Sequence, residues 1–143
     1  MSKLWTILLV LNLFFIYYNG LQDAESSSQA SERVVEVTQE VLDRVNVDVE
    51  EDELSMLVRS LAHVIQYLSL GLWATLLLIS MKRSLGFLYI VGFVILSDEF
   101  LQTFAPGRAF ELSDIGLNLL GFSIGVTMIY GLYMGRKLVC AAS

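Results

Sequence analysis

Apolar positions gather into four blocks, residues 4–21, 56–81, 85–104 and 112–134, separated by polar segments. The first is broken only by Thr6, Asn12, Asn19 and Gly20; the others are runs rich in Leu, Ile, Val and Phe. An α-helix rising about 1.5 Å per residue needs about 20 residues to cross roughly 30 Å of hydrocarbon. The last three blocks meet that length and the first is marginal. Pro106, the only proline, falls between the third and fourth blocks, so no block is interrupted. The pattern predicts an all-α membrane protein, a bundle of four transmembrane helices with no second domain. Its parts are a first transmembrane segment or uncleaved signal anchor (1–21), an acidic extracytoplasmic loop (22–55) and a region of three transmembrane helices (56–143).

Composition agrees with this reading. The chain is 55% hydrophobic and 17% charged, whereas a soluble domain is about half apolar and about a quarter charged. Charge placement then orients the spans. Lys3 precedes the first block, Lys82 and Arg83 separate the second from the third, and Arg136 and Lys137 follow the fourth; these short segments hold no acid. Cytoplasmic loops carry the excess of Lys and Arg, so both termini and the Lys82-Arg83 loop are expected in the cytoplasm of a multi-pass protein of the cell membrane. The acids lie in the other two connections or at the span ends facing them, so the net charge of -6 belongs to the outer surface. That excludes nucleic acid as an expected partner. Lys3 and the first apolar run also fit a signal peptide, but Asn19-Gly20-Leu21-Gln22 is a poor cleavage site, and a retained anchor is expected.

The single cysteine, Cys140, allows no internal disulfide and no cysteine-based metal site. Cys140-Ala141-Ala142-Ser143 matches a prenylation pattern, but a chain that already spans the membrane gains little from a lipid anchor. In the outer loop, residues 22–31 are small and polar and read as a flexible tether. Val34, Val37, Val41 and Val45 follow at spacings of three and four, which predicts a short amphipathic helix on the membrane surface or on the bundle. The alternation Val45-Asn46-Val47-Asp48-Val49 leaves a strand open there. Glu50-Glu51-Asp52-Glu53 precedes the second span, where a helix N-terminus favours anions; it lacks the spacing of an EF-hand.

Ionisable groups inside spans are costly and face protein interior, so they are the candidates for function. Arg59, His63, Gln66 and Tyr67 stand at i, i+4, i+7 and i+8, one helical face that continues to Leu70 and Gly71. Asp98, Glu99 and Gln102 occupy the outer end of the third span. After the Ala105-Pro106-Gly107-Arg108 turn, Asp114, Asn118, Gly121 and Gly125 draw a stripe of polar then small residues. Gly71, Gly121 and Gly125 are expected to pack helices closely. The polar faces share one depth, near the outer surface. They form either an ion and hydrogen-bond network that locks the helices or a pocket for a ligand, and the expense of intramembrane charge favours the pocket. One histidine with several carboxylates raises metal binding, but no ligand-spacing motif accompanies them, so no metal or cofactor is expected.

The stretch Ser97-Asp98-Glu99-Phe100-Leu101-Gln102-Thr103-Phe104-Ala105-Pro106-Gly107-Arg108, followed by Asp114, Asn118, Gly121 and Gly125, resembles the VanZ-like family of bacterial membrane proteins. Arg59-Ser60-Leu61-Ala62-His63-Val64-Ile65-Gln66-Tyr67, with Leu70 and Gly71, resembles the same family's histidine motif. The likeness runs from Arg59 to Gly125 and does not cover residues 22–55. Many members carry Lys at the place of Ser60, Glu at that of Gln66 and His at that of Leu101; Gln66 cannot carry a proton as Glu would. The resemblance implies four spans and an association with low-level resistance to teicoplanin-type glycopeptides, without a family-wide reaction. The expected function is an outward-facing pocket that recognises an amphiphile: a lipid head group, a lipid-linked envelope precursor or a glycopeptide. Arg59 and Arg108 suit its phosphate or carboxylate. A membrane-embedded enzyme on a lipid substrate is the alternative, with His63 as base or nucleophile, Asp98 or Glu99 as its partner and Arg108 stabilising an anion. A structural protein whose outer loop binds a partner is the third reading. Oligomeric state is left open.

Orientation is directly testable. A reporter active only in the cytoplasm is expected to work when fused after Ser143 and to fail near Ser28; the reverse pattern would overturn the charge argument.

Overall fold

The computed structural model describes residues 2–44 and 48–142, all of whose regular structure is helical. The helices are α1 (Ser2–Gly20), α2 (Ala24–Arg44), α3 (Glu51–Met81), α4 (Gly86–Gln102) and α5 (Leu112–Ala142). The four apolar blocks are α1, α3, α4 and α5. By length and composition α1, α3 and α5 can each cross a membrane. The helix of the third block, α4, is shorter than the apolar run that predicted it. Thr103, Phe104 and Ala105 donate to carbonyls three residues back, which winds α4 out at Gln102 and leaves it 17 residues. At about 1.5 Å per residue it reaches about 26 Å, under the hydrocarbon thickness. Phe14, Tyr89, Ile90 and Leu138 are exposed on the bundle's flanks, as side chains facing lipid would be.

α3 is the hub, packing against each of the other helices, most extensively against α5. Glycine makes that seam possible. A Cβ on Gly121 would strike the carbonyl oxygen of Val64, one on Gly125 that of Leu68, and one on Gly71 that of Phe122. On its other side α3 buries Tyr67, Leu70, Ala74 and Leu77 with Leu9 and Ile16 of α1 and Val91 and Ile95 of α4. α1 is further fixed by Trp5 stacked on Trp73 at 6.0 Å, and by hydrogen bonds from Asn12 Nδ2 to Ser69 Oγ (2.7 Å) and between Tyr17 and Ser97 (2.8 Å).

The segment expected to be a flexible tether is instead helical from Ala24. Asp23 caps it: its Oδ1 accepts from the Ser26 amide at 2.7 Å, and this bond holds the carboxyl below the usual carboxylate range. The Ala24 amide donates to the Pro106 carbonyl at 3.1 Å, docking the start of α2 on the α4–α5 turn. Val35 is the buried valine of α2, whereas Val34, Val37 and Val41 are exposed, so within the bundle the valine stripe faces outward. Val45, Asn46 and Val47, on which the stripe's end and the strand alternative rest, lie outside the described residues. α3 opens with Glu51, Asp52 and Glu53 in its first turn, where the helix dipole favours them. It closes on Lys82 in the left-handed conformation (φ 51°), with Lys82 and Arg83 amides returned to Ile79 and Leu78 carbonyls.

Gly121→Ala is expected to destabilise the protein by about 1–3 kcal/mol through overpacking of the α3–α5 seam. Gly131→Ala, with nothing near its added methyl, should cause no loss. Thermal unfolding in detergent compares the two.

Candidate functional site

The polar residues meet where the N-terminal halves of α3 and α5 face the C-terminal end of α4. α3 supplies Arg59, His63, Gln66 and Tyr67 from one face; the last turns of α4 supply Asp98, Glu99 and Gln102; the first turns of α5 supply Asp114 and Asn118. Arg108 stands in the connecting loop, turned back by Gly107 at φ 75°, a backbone region that glycine enters without penalty.

Tyr67 Oη donates to Asp98 Oδ2 at 2.8 Å. Gln102 Nε2 donates to Asp98 Oδ2 (3.1 Å) and Glu99 Oε1 (3.3 Å), and its Oε1 accepts from Arg108 Nη1 at 2.9 Å. Asn118 Nδ2 donates to Glu99 Oε1 at 3.4 Å, and its Oδ1 lies 3.0 Å from His63 Nδ1. His63 Nε2 is 3.5 Å from Asp114 Oδ2. Arg59 Nη2 approaches the same oxygen at 3.4 Å and Glu111 Oε1 at 3.9 Å. Tyr67, Asp98, Glu99, Gln102, Asp114 and Asn118 are all buried, and Glu99 is 0% exposed. Buried carboxylates demand donors, yet among the described residues Asp98 Oδ1 and Glu99 Oε2 have no hydrogen-bond partner.

A cavity of about 390 Å³ opens beside this network, lined by Arg59, His63, Gln66, Gln102 and Arg108. Gln66 borders it without joining a side-chain hydrogen bond among the described residues. A smaller cavity of about 180 Å³ shares Arg59 and Arg108 with it. Burial, and the positive charge of Arg59 nearby, hold the Arg108 pKa below the usual arginine value.

Sequence reasoning missed part of the lining. Ser27 and Ser31 of α2 border both cavities, and Ser28 and Ser55 the smaller. The i, i+4 spacing of Ser27 and Ser31 was the available signal, once their segment is taken as helix. Gly20 of α1 was missed too: a Cβ there would collide with Asp98 Oδ1, so only glycine lets α1 close over that carboxylate. The ligand geometry was also invisible as spacing. One donor atom from each of His63, Glu99 and Asp114 lies within 4.8 Å of the others, but the three come from three helices.

The family model described as VanZ/LLP1 matches residues 5–134. The match takes in α1 and α2, including residues 22–55, which the resemblance drawn from Arg59 to Gly125 left out. No curated protein and no solved structure matches the chain.

Tyr67→Phe removes one of the two donors to Asp98 Oδ2 while preserving the ring's packing. It is expected to cost about 1–3 kcal/mol, the penalty for a buried acceptor left short, read as a lowered unfolding temperature.

Proposed function

Because the chain belongs to the VanZ/LLP1 family, we propose that it is a cell-envelope membrane protein whose polar cleft faces outward and holds the anionic head group of an amphiphile. α1 is a retained anchor and α4 a fourth span, with both termini cytoplasmic. The packing of Leu9, Ile16 and Gly20 against the bundle supports the first assignment, and the apolar flank of α4, with Tyr89, Ile90 and Phe93 exposed, supports the second.

One observation carries the reading. Arg108 is a half-buried guanidinium at the wall of both cavities, and among the described residues it has no carboxylate within 4.0 Å. Its one side-chain bond goes to a neutral amide, Gln102. A half-buried cation with no carboxylate in direct contact is only partly compensated by Asp98, Glu99 and Asp114 farther off, and Arg59 on the same walls adds like-charge repulsion. A phosphate or carboxylate between the two guanidinium groups relieves both costs. The planar fork of arginine offers paired donors to such an anion, and Ser27 and Ser31 add hydroxyls. The acyl or other apolar part of the amphiphile stays in the surrounding bilayer. A lipid head group, a lipid-linked wall precursor and a teicoplanin-type glycopeptide share this chemistry.

Arg108→Lys separates recognition from simple charge pairing, because an ammonium cannot reproduce the fork. The variant should reach the membrane at normal levels, yet bind anionic phospholipid about 10–100-fold more weakly, the worth of roughly 1.5–3 kcal/mol in charge-assisted hydrogen bonds. Native mass spectrometry in detergent measures this. Undiminished binding, or unchanged glycopeptide tolerance in cells carrying only the variant, would defeat the reading.

A further inference from the structure

We infer that His63, Glu99 and Asp114 form a binding site for one divalent transition-metal ion at the floor of the cleft. The argument begins with the histidine tautomer. Asn118 donates one amide hydrogen to Glu99 Oε1, which as a carboxylate only accepts, so its Oδ1 is the atom that faces His63 Nδ1. That oxygen is an acceptor, and Nδ1 therefore carries the proton. In the neutral imidazole Nε2 is then left with a lone pair, and what it faces at 3.5 Å is a carboxylate oxygen, Asp114 Oδ2. Two lone pairs do not attract; the arrangement calls for a positive centre between them, either a second ring proton or a metal ion.

Glu99 points the same way independently. The residue is 0% exposed, and among the described residues its Oε2 has no partner at good hydrogen-bond geometry, the Glu111 amide being the backbone donor near the carboxyl. Such an oxygen is expensive to bury, and a water or an ion that it ligates would meet that cost. One donor atom from each of the three residues lies within 4.8 Å of the others. For metal–ligand bonds of roughly 2.1 Å, two ligands of a tetrahedral ion stand about 3.4 Å apart, close to the 3.5 Å between His63 Nε2 and Asp114 Oδ2. The outer shell is in place as well. Ligating histidines donate their other ring hydrogen to a fixed acceptor, and ligating carboxylates are themselves hydrogen-bonded; Asn118 performs both services, with Gln102 adding a second donor to Glu99 Oε1. Arg59 competes weakly for Asp114, since its 3.4 Å approach is long for a charge-assisted bond and its side chain is 53% exposed. His63 borders the larger cavity, which supplies an entry path.

A mixed nitrogen and oxygen set with room for further ligands suits Zn²⁺ or Mn²⁺ better than Ca²⁺ or Mg²⁺, which take oxygen throughout. The inference stands apart from head-group recognition and is tested without any lipid ligand added. Tag-free protein in detergent is stripped with chelator, measured for Zn²⁺ binding by calorimetry, and loaded with Co²⁺ to record its d–d absorption. One ion per chain is expected, with visible bands stronger than those of aqueous Co²⁺, reporting coordination by the protein in a low-coordinate site. Glu99→Gln keeps the side chain's volume and should weaken binding more than the roughly 10–100-fold that loss of an outer-shell partner costs. Asp114→Asn and His63→Gln should do the same, with helix content by circular dichroism unchanged. Absence of saturable binding by the wild-type chain would overturn the site whatever the variants do. Unweakened binding by folded Glu99→Gln and Asp114→Asn would overturn it too. Either failure leaves the Arg108 result untouched, and a failed Arg108 result leaves the metal titration untouched.

Discussion

A carboxylate removed from water between apolar helices must be met by donors or a cation, and much of the site follows from that demand. Asp98 and Glu99 are adjacent and both buried, an arrangement that no single neighbour could satisfy. Their donors come from three helices: Tyr67 from α3, Gln102 from α4 itself and Asn118 from α5. Meeting the demand thus fixes the three helices relative to one another. Gln102 has a particular place in it. Its amide hydrogens serve the acids and its oxygen serves Arg108, so one neutral side chain separates a negative interior from a positive rim.

The glycine seam sets the distances on which this depends. Gly121 lies against the carbonyl of Val64, the residue after His63, and Asn118 stands one turn before Gly121 on the same face. Backbone contact at Gly121 therefore brings Asn118 Oδ1 to 3.0 Å from His63 Nδ1. Two bulky residues at the seam would hold the helices about 8–10 Å apart axis to axis, and these short polar side chains would no longer meet. Packing and polar chemistry are in this sense one design: small residues below, hydrogen-bonding residues above, along a single stripe of α5.

The apolar blocks and the shared faces were legible because both follow from periodicity alone. Residues 59, 63 and 67 on one helix, and 114, 118, 121 and 125 on another, share faces whatever the helices pack against. Pairing was not legible. That Arg59 meets Asp114 while Arg108 meets Gln102 depends on helix rotation and on a loop turned by Gly107, which spacing does not encode. The helical start of α2 was hidden by its serines, poor helix formers in the interior; Asp23 and the dock on Pro106 overcome that preference. The end of α4 was hidden for the opposite reason: residues 103–105 are compatible with helix, and the approaching proline turn, not their own character, ends it.

The brevity of α4 bears on the lipid around it. As the proposed fourth span, a rod of about 26 Å in a layer of roughly 30 Å would be mismatched by a few ångströms, and the layer would adjust by thinning beside it. The thinned ring would lie where α4 ends, at Gln102, beside the two acids. Head groups would dip toward the cleft there, shortening the path an amphiphile travels out of its leaflet. The same α4–α5 turn that carries Arg108 would then shape the membrane beside the proposed anion site.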